Sequence, residues 1–441
     1  MDLIVKTGRL RAPKYLICAE LIYICFMQLL ISSGLPSALT LICDVINALL
    51  LFYLLMYMSG TKRVMQKFMA FYVLYFLFFF LGSMTALFNK GSLILWLWSL
   101  RNFGRFVVFF TSVLVFIDPR DFRLVRKAMY ITGHISFAFC VYQFLVQRLK
   151  GDYIGGVFGT THGTANTYLN VFLVILFTLS LTDWITGRKG FMQFLVILSE
   201  CLFIAVVGEL KFFFLEMMIA ALICLAFARK TYKVFSKVLL IFSIGIVGFC
   251  ISIPIMYKLF PFFNDFFRPE NIIRTATDSY TGSGDLGRLT AVYEIAAKLF
   301  KGDPLKVLFG LGLGNGEYSD SHRMLQSAFY IKNKASNYFW FTDAIVMVQN
   351  GLTGLGLYVF SIVYIIKETY KRLRTNRNNS IILSAFALSV ISLSLIIYNV
   401  SMNCEIAYFT YAFLAFGLID KDLLGYNSIK QNRYLIREVR Q

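Results

Sequence analysis

Long apolar stretches alternate with short polar segments along most of this chain. Runs of about 20 apolar residues are typical of transmembrane helices, because a helix of that length spans the hydrocarbon core of a bilayer. The pattern therefore predicts an all-α polytopic membrane protein, with residues 1–441 forming a single integral membrane domain. About twelve runs qualify as spans, at residues 15–32, 36–58, 67–88, 93–117, 128–146, 168–184, 190–207, 212–228, 238–257, 343–366, 380–399 and 403–419.

The longest polar interruption covers residues 258–342, between the ninth and tenth predicted spans. Apolar residues recur there at helical spacing and predict a short amphipathic helix at about residues 286–300, capped by Asp285. A glycine-rich run, Gly310–Gly316, follows this helix. Connections between helices rarely need so many residues, so this loop is expected to carry function. The predicted apolar face of its helix consists of Val292, Ile295, Ala296 and Leu299.

The chain has 43 Lys and Arg residues against 24 Asp and Glu residues, a net charge of +19. Such an excess is typical of nucleic-acid-binding proteins, but here the basic residues concentrate in every second short polar segment. The positive-inside rule explains that distribution and places both termini in the cytoplasm, with residues 420–441 as a cytoplasmic tail. It also places the 258–342 loop on the extracytoplasmic face. No nucleic-acid partner is predicted.

Several kinds of chemistry lack a sequence signature. The P-loop pattern is absent, and the one GxGxxG match, Gly282–Gly287, follows a polar stretch rather than a buried strand. The eight cysteines lie in or beside apolar runs without zinc-ligand spacing, which predicts packing residues. The cluster from Glu317 to His322 holds only two carboxylates and one histidine. We therefore predict no cofactor and no metal site.

Ionisable residues concentrate at the predicted outer ends of the spans. Arg101 and Arg105 lie four residues apart on one helical face, where a buried arginine is costly and is usually functional or paired. Arg148 and His162 belong to a glycine-rich outer loop, residues 147–167. For Arg101, snorkelling towards the outer surface is an equally good explanation.

A second group of charges surrounds a tight outer turn between the seventh and eighth predicted spans. Glu209 and Lys211 lie in that turn, with Glu200 and Glu216 deeper on its two arms. Lipid-facing helices do not tolerate so many ionised groups. Either they belong to a functional site, or Glu209 and Lys211 form a structural pair. His134, in the fifth predicted span, is expected to have a hydrogen-bonded packing role.

An extracytoplasmic enzyme has no access to nucleotide-activated donors and needs one that is already activated. A sugar on a lipid pyrophosphate meets that need. Arginine and lysine side chains can stabilise a leaving pyrophosphate without a metal, and a carboxylate or histidine can remove the proton of the acceptor hydroxyl. The apolar spans would hold the polyprenyl tail.

Five glycine-containing features follow one another along the chain. They are Gly155–Gly159 followed by Asn166, Gly208–Lys211, Gly287 with Arg288, Gly310–Gly316, and Gly351–Gly354. In their order and predicted membrane position they resemble the Wzy-type O-antigen and capsular polysaccharide polymerases and the related O-antigen ligases. The resemblance covers nearly the whole chain, with many spans, one large outer loop and a few closing spans.

The resemblance implies metal-independent glycosyl transfer from an undecaprenyl-pyrophosphate oligosaccharide at the outer face of a bacterial cytoplasmic membrane. It implies lipid-linked oligosaccharide and membrane lipids as partners, with chain-length regulator and flippase proteins alongside. The expected pyrophosphate-binding residues are Arg288, Lys211, Arg101 and Arg105. The expected sugar-binding residues are Arg148, His162 and Asn166, and the catalytic candidates are His322, Glu317 and Glu209.

Three alternatives stay open at this point. The ligase branch has a histidine just before the span that follows the large loop, whereas Ser336–Asp343 has none, which favours a polymerase and leaves the general base open. A transporter or flippase of lipid-linked sugars would also use intramembrane arginines, but the sequence has no inverted repeats. The third alternative is a non-catalytic partner of an export machine.

Overall fold

A computed structural model describes residues 11–228, 232–259, 270, 277, 284–319 and 322–419. Helices account for 80% of the structure, and the described residues contain no strand. The tail at 420–441 lies outside the described residues. The helices are α1 (Arg11–Ser32), α2 (Leu41–Met56), α3 (Met58–Lys67), α4 (Met69–Phe88), α5 (Leu93–Phe116), α6 (Phe122–Leu145), α7 (Asn170–Ile185), α8 (Phe191–Val207), α9 (Lys211–Phe227), α10 (Tyr232–Leu259), α11 (Ala291–Glu294), α12 (Pro304–Phe309), α13 (Ala328–Asn333), α14 (Thr342–Thr375), α15 (Ser380–Tyr398) and α16 (Ala407–Phe416).

Eight helical stretches of the described residues are long and apolar enough to cross a membrane. Large apolar side chains such as Phe76 and Leu87 are 64% and 71% exposed, as expected for helix faces that contact lipid. The chain therefore has the helices of a multi-pass membrane protein. The eight stretches are Arg11–Ser32, Ser37–Met56, Met69–Phe88, Leu93–Phe116, Phe122–Leu145, Ala165–Ile185, Thr342–Thr375 and Ser380–Tyr398.

The other four predicted spans correspond to α8, α9, α10 and α16. Helices α8 and α16 are apolar but shorter than the eight, as is the apolar part of α10, Ser243–Ile255. Helix α9 has 17 residues. The twelve-span topology therefore stays a prediction.

Helix α7 lies at the centre of the bundle. All of its residues are buried, including polar ones such as Thr178 and Asp183. It packs against α6, α8, α9 and α15. Most residues of α7 are apolar on every side of the helix, as expected for a helix enclosed by others. Because α7 is enclosed, both of its ends are held firmly in place, and both ends adjoin the sites described below.

The described part of the 258–342 loop packs against the start of α14. Its own apolar cluster joins Leu286, Ile295 and Phe300 to Tyr338 and to Met347 of α14. The Leu286 N–H also donates to the Ser336 carbonyl at 3.0 Å. The predicted apolar face is confirmed: Ile295 is buried, and Val292, Ala296 and Leu299 pack against the same cluster.

The helix predicted at 286–300 is shorter and less regular than expected. Helix α11 covers only Ala291–Glu294 and continues as a π-helix, Ile295–Leu299. Thr290, not Asp285, holds the N-cap position. The reason is that the Glu294 carboxylate reaches back, accepting the Gly287 N–H at 3.3 Å and the Thr290 hydroxyl at 2.5 Å. Arg288 therefore lies in the turn before the helix.

Helix α14 is interrupted at Gly351, whose φ of 64° and ψ of −168° are not helical. A Cβ at this glycine would lie 2.5 Å from the Leu308 backbone, so the chain crossing here leaves no room for a side chain. The glycine-rich run compensates for the interruption: the Leu311 N–H donates to the Val348 carbonyl at 2.9 Å, and the Gly312 N–H donates to the Gln349 carbonyl at 2.8 Å. Irregular backbone inside a membrane protein is stable when neighbouring segments satisfy it in this way.

The predicted topology can be tested with single cysteines at Ser283 and Asn376. Asn376 is exposed just after α14, and Ser283 belongs to the 258–342 loop, which contains no native cysteine. We expect a membrane-impermeant maleimide to label the Ser283 cysteine in intact cells but to label the Asn376 cysteine only after permeabilisation. The protein with its native cysteines alone provides the blank. The reverse labelling would overturn the assignment of the loop to the outer face.

Candidate functional site

Seven polar side chains from distant parts of the chain meet at one end of the bundle. We call them the Arg288 cluster: Asp152, His162, Asn166, Glu209, Lys211, Arg288 and Tyr398. The segments that bring them together are the 147–167 loop, the turn between α8 and α9, the turn before α11, and the end of α15. Five of the ten residues expected to form the site are therefore in one place.

Arg288 is held against an aromatic side chain. Its guanidinium carbon lies 4.6 Å from the centre of the Tyr398 ring, which also stacks on Phe212 at 4.1 Å. A guanidinium is attracted to the face of such a ring. Arg288 is half-buried.

Asn166 connects Tyr398 to Asp152. The Tyr398 hydroxyl donates to Asn166 Oδ1 at 3.0 Å, and Asn166 Nδ2 donates to Asp152 Oδ1. A third bond, from Asn399 Nδ2 to the Asn166 carbonyl at 2.7 Å, holds the backbone in place. The amide is therefore fixed on both sides. Its role in this structure is to position Asp152 and Tyr398.

Glu209 has the features of a group held for chemistry. Its φ of 55° lies in the left-handed region, a strained conformation for a non-glycine residue that is frequent at functional sites. Its carboxylate lies against Gly151, where an added Cβ would be 2.6 Å from Glu209 Oε1. Burial raises the pKa of the Glu209 carboxyl to about 7, while the Lys211 ammonium opposes the shift. A carboxyl with this pKa can exchange a proton near neutral pH.

Asp152 and His162 form the exposed edge of the cluster. Burial raises the pKa of Asp152, and the charges of His162, Arg288 and Lys211 oppose that shift. His162 Nε2 lies 3.9 Å from Asp152 Oδ2, and its side chain is 68% exposed. Lys211, Arg288 and His162 therefore lie around Asp152, and the cluster as a whole combines these basic side chains with two carboxyl groups, those of Asp152 and Glu209.

A π-helix links this cluster to a second network. Residues Ala165–Leu169 form one wide turn directly before α7, a geometry common at functional sites. Asn166 in this turn faces the Arg288 cluster, whereas the Tyr168 hydroxyl donates to Glu405 Oε2 at 2.7 Å. Glu405 Oε1 in turn accepts from Arg105 Nη1 at 3.0 Å. Arg105 is thus paired deep inside the bundle.

Arg101 also has a carboxylate partner. Both Nε and Nη2 of its guanidinium donate to Asp44, the former at 2.8 Å. Glu317 belongs to a neighbouring network, accepting from Asn102 Nδ2 at 2.9 Å and from Gln349 Nε2 at 3.1 Å. Burial raises the pKa of Glu317, and the hydrogen bonds from Gln349 and Asn102 oppose the shift. These residues form a polar core beside the glycine-rich run.

The structure thus separates the expected site residues into groups. Glu209, Lys211, Arg288, His162 and Asn166 come together, whereas Arg101, Arg105 and Glu317 belong to internal networks. The remaining two, Arg148 and His322, are exposed, and the His322 N–H donates to Ser319 Oγ at 3.0 Å. Asp320 and Ser321 lie outside the described residues.

Sequence reasoning missed Asp152 and Tyr398. Asp152 is a carboxylate in a glycine-rich loop near a histidine, a pattern that could have drawn attention to it. Tyr398, at the end of an apolar run, carries no such signal.

Among the described residues, no group of three or more His, Cys, Asp or Glu side chains could hold a metal ion. No protein-family model matches the chain, and a comparison with curated proteins finds no match.

The pKa of Glu209 predicts a pH dependence. If Glu209 must be ionised to act as a base, the rate should fall about tenfold per pH unit below the pKa. Because burial raises that pKa to about 7, the fall should begin near neutral pH and not near pH 4.5. A pH–rate profile of the reconstituted protein measures this. Glu209→Gln should lose both the acid limb and most of the activity, whereas Glu368→Gln at the far end of α14 should keep both.

Proposed function

We propose that this protein is a membrane glycosyltransferase that polymerises polyprenyl-pyrophosphate-linked oligosaccharides on the outer face of a bacterial cytoplasmic membrane. The observation that carries the proposal is the Arg288 cluster: two cations and a proton-accepting carboxyl at the ends of apolar helices. Cations suit a pyrophosphate, the carboxyl suits a hydroxyl acceptor, and apolar helices suit a polyprenyl chain.

In the proposed reaction, Arg288 and Lys211 bind the pyrophosphate of the donor. Glu209 accepts the proton of the acceptor hydroxyl as its oxygen bonds to the anomeric carbon. The bond from that carbon to the pyrophosphate oxygen breaks, and the polyprenyl pyrophosphate leaves with the electron pair. Arg288 and Lys211 stabilise the charge that develops on the leaving group.

The choice of Glu209 as the base follows from its neighbours. Of the three catalytic candidates, Glu209 alone is grouped with Arg288 and Lys211 in the described structure. Glu317 already accepts two hydrogen bonds from Asn102 and Gln349. His322 is exposed. A base must be within reach of the hydroxyl that attacks beside the leaving group.

A second candidate function is a flippase for lipid-linked sugars. The observation that favours it is the pair of arginine–carboxylate bridges inside the bundle, Arg105 with Glu405 and Arg101 with Asp44. Charged groups inside membrane helices often mark a transport path. The two functions differ in whether a glycosidic bond forms.

Purified protein in vesicles with lipid-linked repeat units and no energy source separates these functions. We expect chains longer than one repeat unit to form, and to form equally well with EDTA present. Movement of the units across the bilayer without elongation would favour the flippase. Transfer of the sugar to a different lipid acceptor, without chain growth, would favour a ligase. Loss of activity in EDTA that added magnesium or manganese restores would contradict the metal-independent mechanism.

A further inference from the structure

An open cleft of about 550 Å³ lies at the end of the bundle opposite the Arg288 cluster. Helix α7 connects the two ends: Asn166 precedes it, and Arg188 follows its last residue, Ile185. The cleft lies between the turn after α7 and the turn that joins α14 to α15. The residues that line it are Arg188, Arg374, Thr375, Asn376, Arg377, Asn378 and Asn379. We call this the arginine cleft.

Among the residues that the structure describes, the lining of the arginine cleft contains three guanidinium groups and no carboxylate. Two acids near it in sequence are engaged elsewhere. Asp183 accepts from Arg126 Nη1 at 2.8 Å, and Glu368 accepts from Lys371 Nζ at 2.6 Å. Burial lowers the pKa of Arg188; the neighbouring Arg126 and Arg123 guanidinium groups add to the shift, and the Asp183 carboxylate opposes it.

The backbone adds to the positive charge of the lining. Asn379 caps α15, accepting the Ile381 N–H at 3.0 Å, so the positive end of a 19-residue helix lies beside the arginines. Guanidinium groups bind two phosphate oxygens at once, and the amides of Asn376 and Asn378 can donate further hydrogen bonds. The chemistry of the cleft therefore favours a phosphate group.

The position of the cleft favours a lipid as the source of that phosphate. Helix α15 spans roughly 28 Å from end to end, close to the thickness of a bilayer core. The cleft, at the start of α15, is thus at the depth of lipid headgroups. Phe194 of α8 is buried against Trp184, with 5.0 Å between the ring centres. The same helix, α8, exposes Met192 and Val196 to the surroundings, a surface suited to acyl chains.

We propose that the arginine cleft binds the phosphodiester headgroup of an anionic phospholipid in the leaflet opposite the Arg288 cluster. The positive-inside pattern predicts that this is the cytoplasmic leaflet. Membrane orientation alone requires only basic charge in the loops. It does not require three arginines from two distant turns to line one cleft with amides and a helix N-terminus. This inference is independent of the reaction proposed for the other face.

The test is a lipid titration of the full-length protein in neutral detergent, read by native mass spectrometry and by thermal unfolding. We expect phosphatidylglycerol to bind and stabilise the protein, and phosphatidylcholine to do so at least about tenfold more weakly. The triple variant Arg188→Gln, Arg374→Gln, Arg377→Gln should bind phosphatidylglycerol at least about tenfold more weakly than the unaltered protein.

A matched control removes the same charge elsewhere on the same predicted side. Lys62→Gln, Arg63→Gln, Lys67→Gln alters α3, outside the cleft. Its affinity for phosphatidylglycerol should change less than about threefold, because exposed charges act only through the general surface potential. An equal loss in both triple variants, or none in the cleft variant, would overturn the proposal.

Two further arms identify the source of the anion. Glycerol 1-phosphate or inorganic phosphate should fail to displace the lipid at millimolar concentration. Displacement by either would assign the site to a soluble phosphate, and displacement by an acidic peptide would assign it to a protein partner.

If the triple glutamine variant does not fold, the charge-preserving change Arg374→Lys, Arg377→Lys replaces it. Lysine cannot hold two phosphate oxygens at once as a guanidinium can, so the affinity for phosphatidylglycerol should fall about threefold or more. Unchanged affinity would contradict the proposal.

Discussion

Replacing Arg288 with alanine should lower the rate of polymer formation about 100-fold or more, the scale on which a single oxyanion-stabilising donor acts. Arg288 is half-buried, and its guanidinium lies on the Tyr398 ring with Lys211 and Asp152 nearby. Alanine would remove both the charge and the fork that holds two phosphate oxygens. Arg288→Lys should restore only part of the rate, since lysine provides a point charge.

The control for this experiment is Arg323→Ala. Arg323 is an exposed arginine on the same loop and takes no part in the cluster. Its loss should leave the rate near that of the unaltered protein. Protein yield and thermal stability decide whether the effect is structural, because a folding defect would lower both together with activity. A well-folded Arg288→Ala protein that still makes normal polymer would show that the pyrophosphate assignment is wrong.

Replacing Gly312 with alanine should prevent normal folding. Gly312 has a φ of 92°, and a Cβ at this position would lie 2.2 Å from the Ala86 backbone nitrogen in α4. The atoms nearest to that Cβ belong to the α4 backbone, which cannot move aside as a flexible side chain can. The substitution would also strain the bond from the Gly312 N–H to the Gln349 carbonyl. We expect a loss of more than about 4 kcal/mol, the range of severe core disruptions.

Gly302 supplies the matched control for this substitution. It also has a positive φ, 72°, but nothing lies within 4 Å of the position its Cβ would take. Gly302→Ala therefore carries the backbone strain alone, about 1–2 kcal/mol. The comparison uses thermal unfolding and the yield of monodisperse protein in detergent. Equal stability of the two variants would mean that the glycine-rich run is not closely packed against α4.

The apolar pattern predicts most of the helices, because each side chain that faces lipid or the core must be apolar whatever its partners are. The same reasoning fails at Gly351. The sequence around Gly351 is apolar on both sides and has the length of one helix. The interruption of the helix therefore cannot be predicted without knowing which segment packs against it. Gly310–Gly316 predicts a loop when read alone. Its role as the hydrogen-bonding partner of the broken helix depends on contacts across the fold.

The candidate site was predictable in part for a related reason. Glu209 and Lys211 stand out because ionised groups near apolar runs are costly and therefore rare. Arg288 lies in a polar loop and is singled out by the family resemblance. Which of them meet depends on tertiary contacts. Asn166 joins Asp152 to Tyr398, a residue 232 positions further along the chain. Arg105 attracts the same attention from sequence, yet its partner Glu405 lies 300 positions away and balances its charge inside the bundle.

The enclosure of α7 constrains the order in which the protein can be assembled during translation. Helix α15, which covers one side of α7, is made about 200 residues later, roughly 10 to 40 seconds at ordinary synthesis rates. In that interval two polar groups of α7 can already find partners. Asp183 pairs with Arg126 from the preceding helix, and Asn170 soon pairs with Glu216 of α9. Two partners of Asn166, the residues Tyr398 and Asn399, are made later still, so the Arg288 cluster is completed only after the ribosome has passed residue 399.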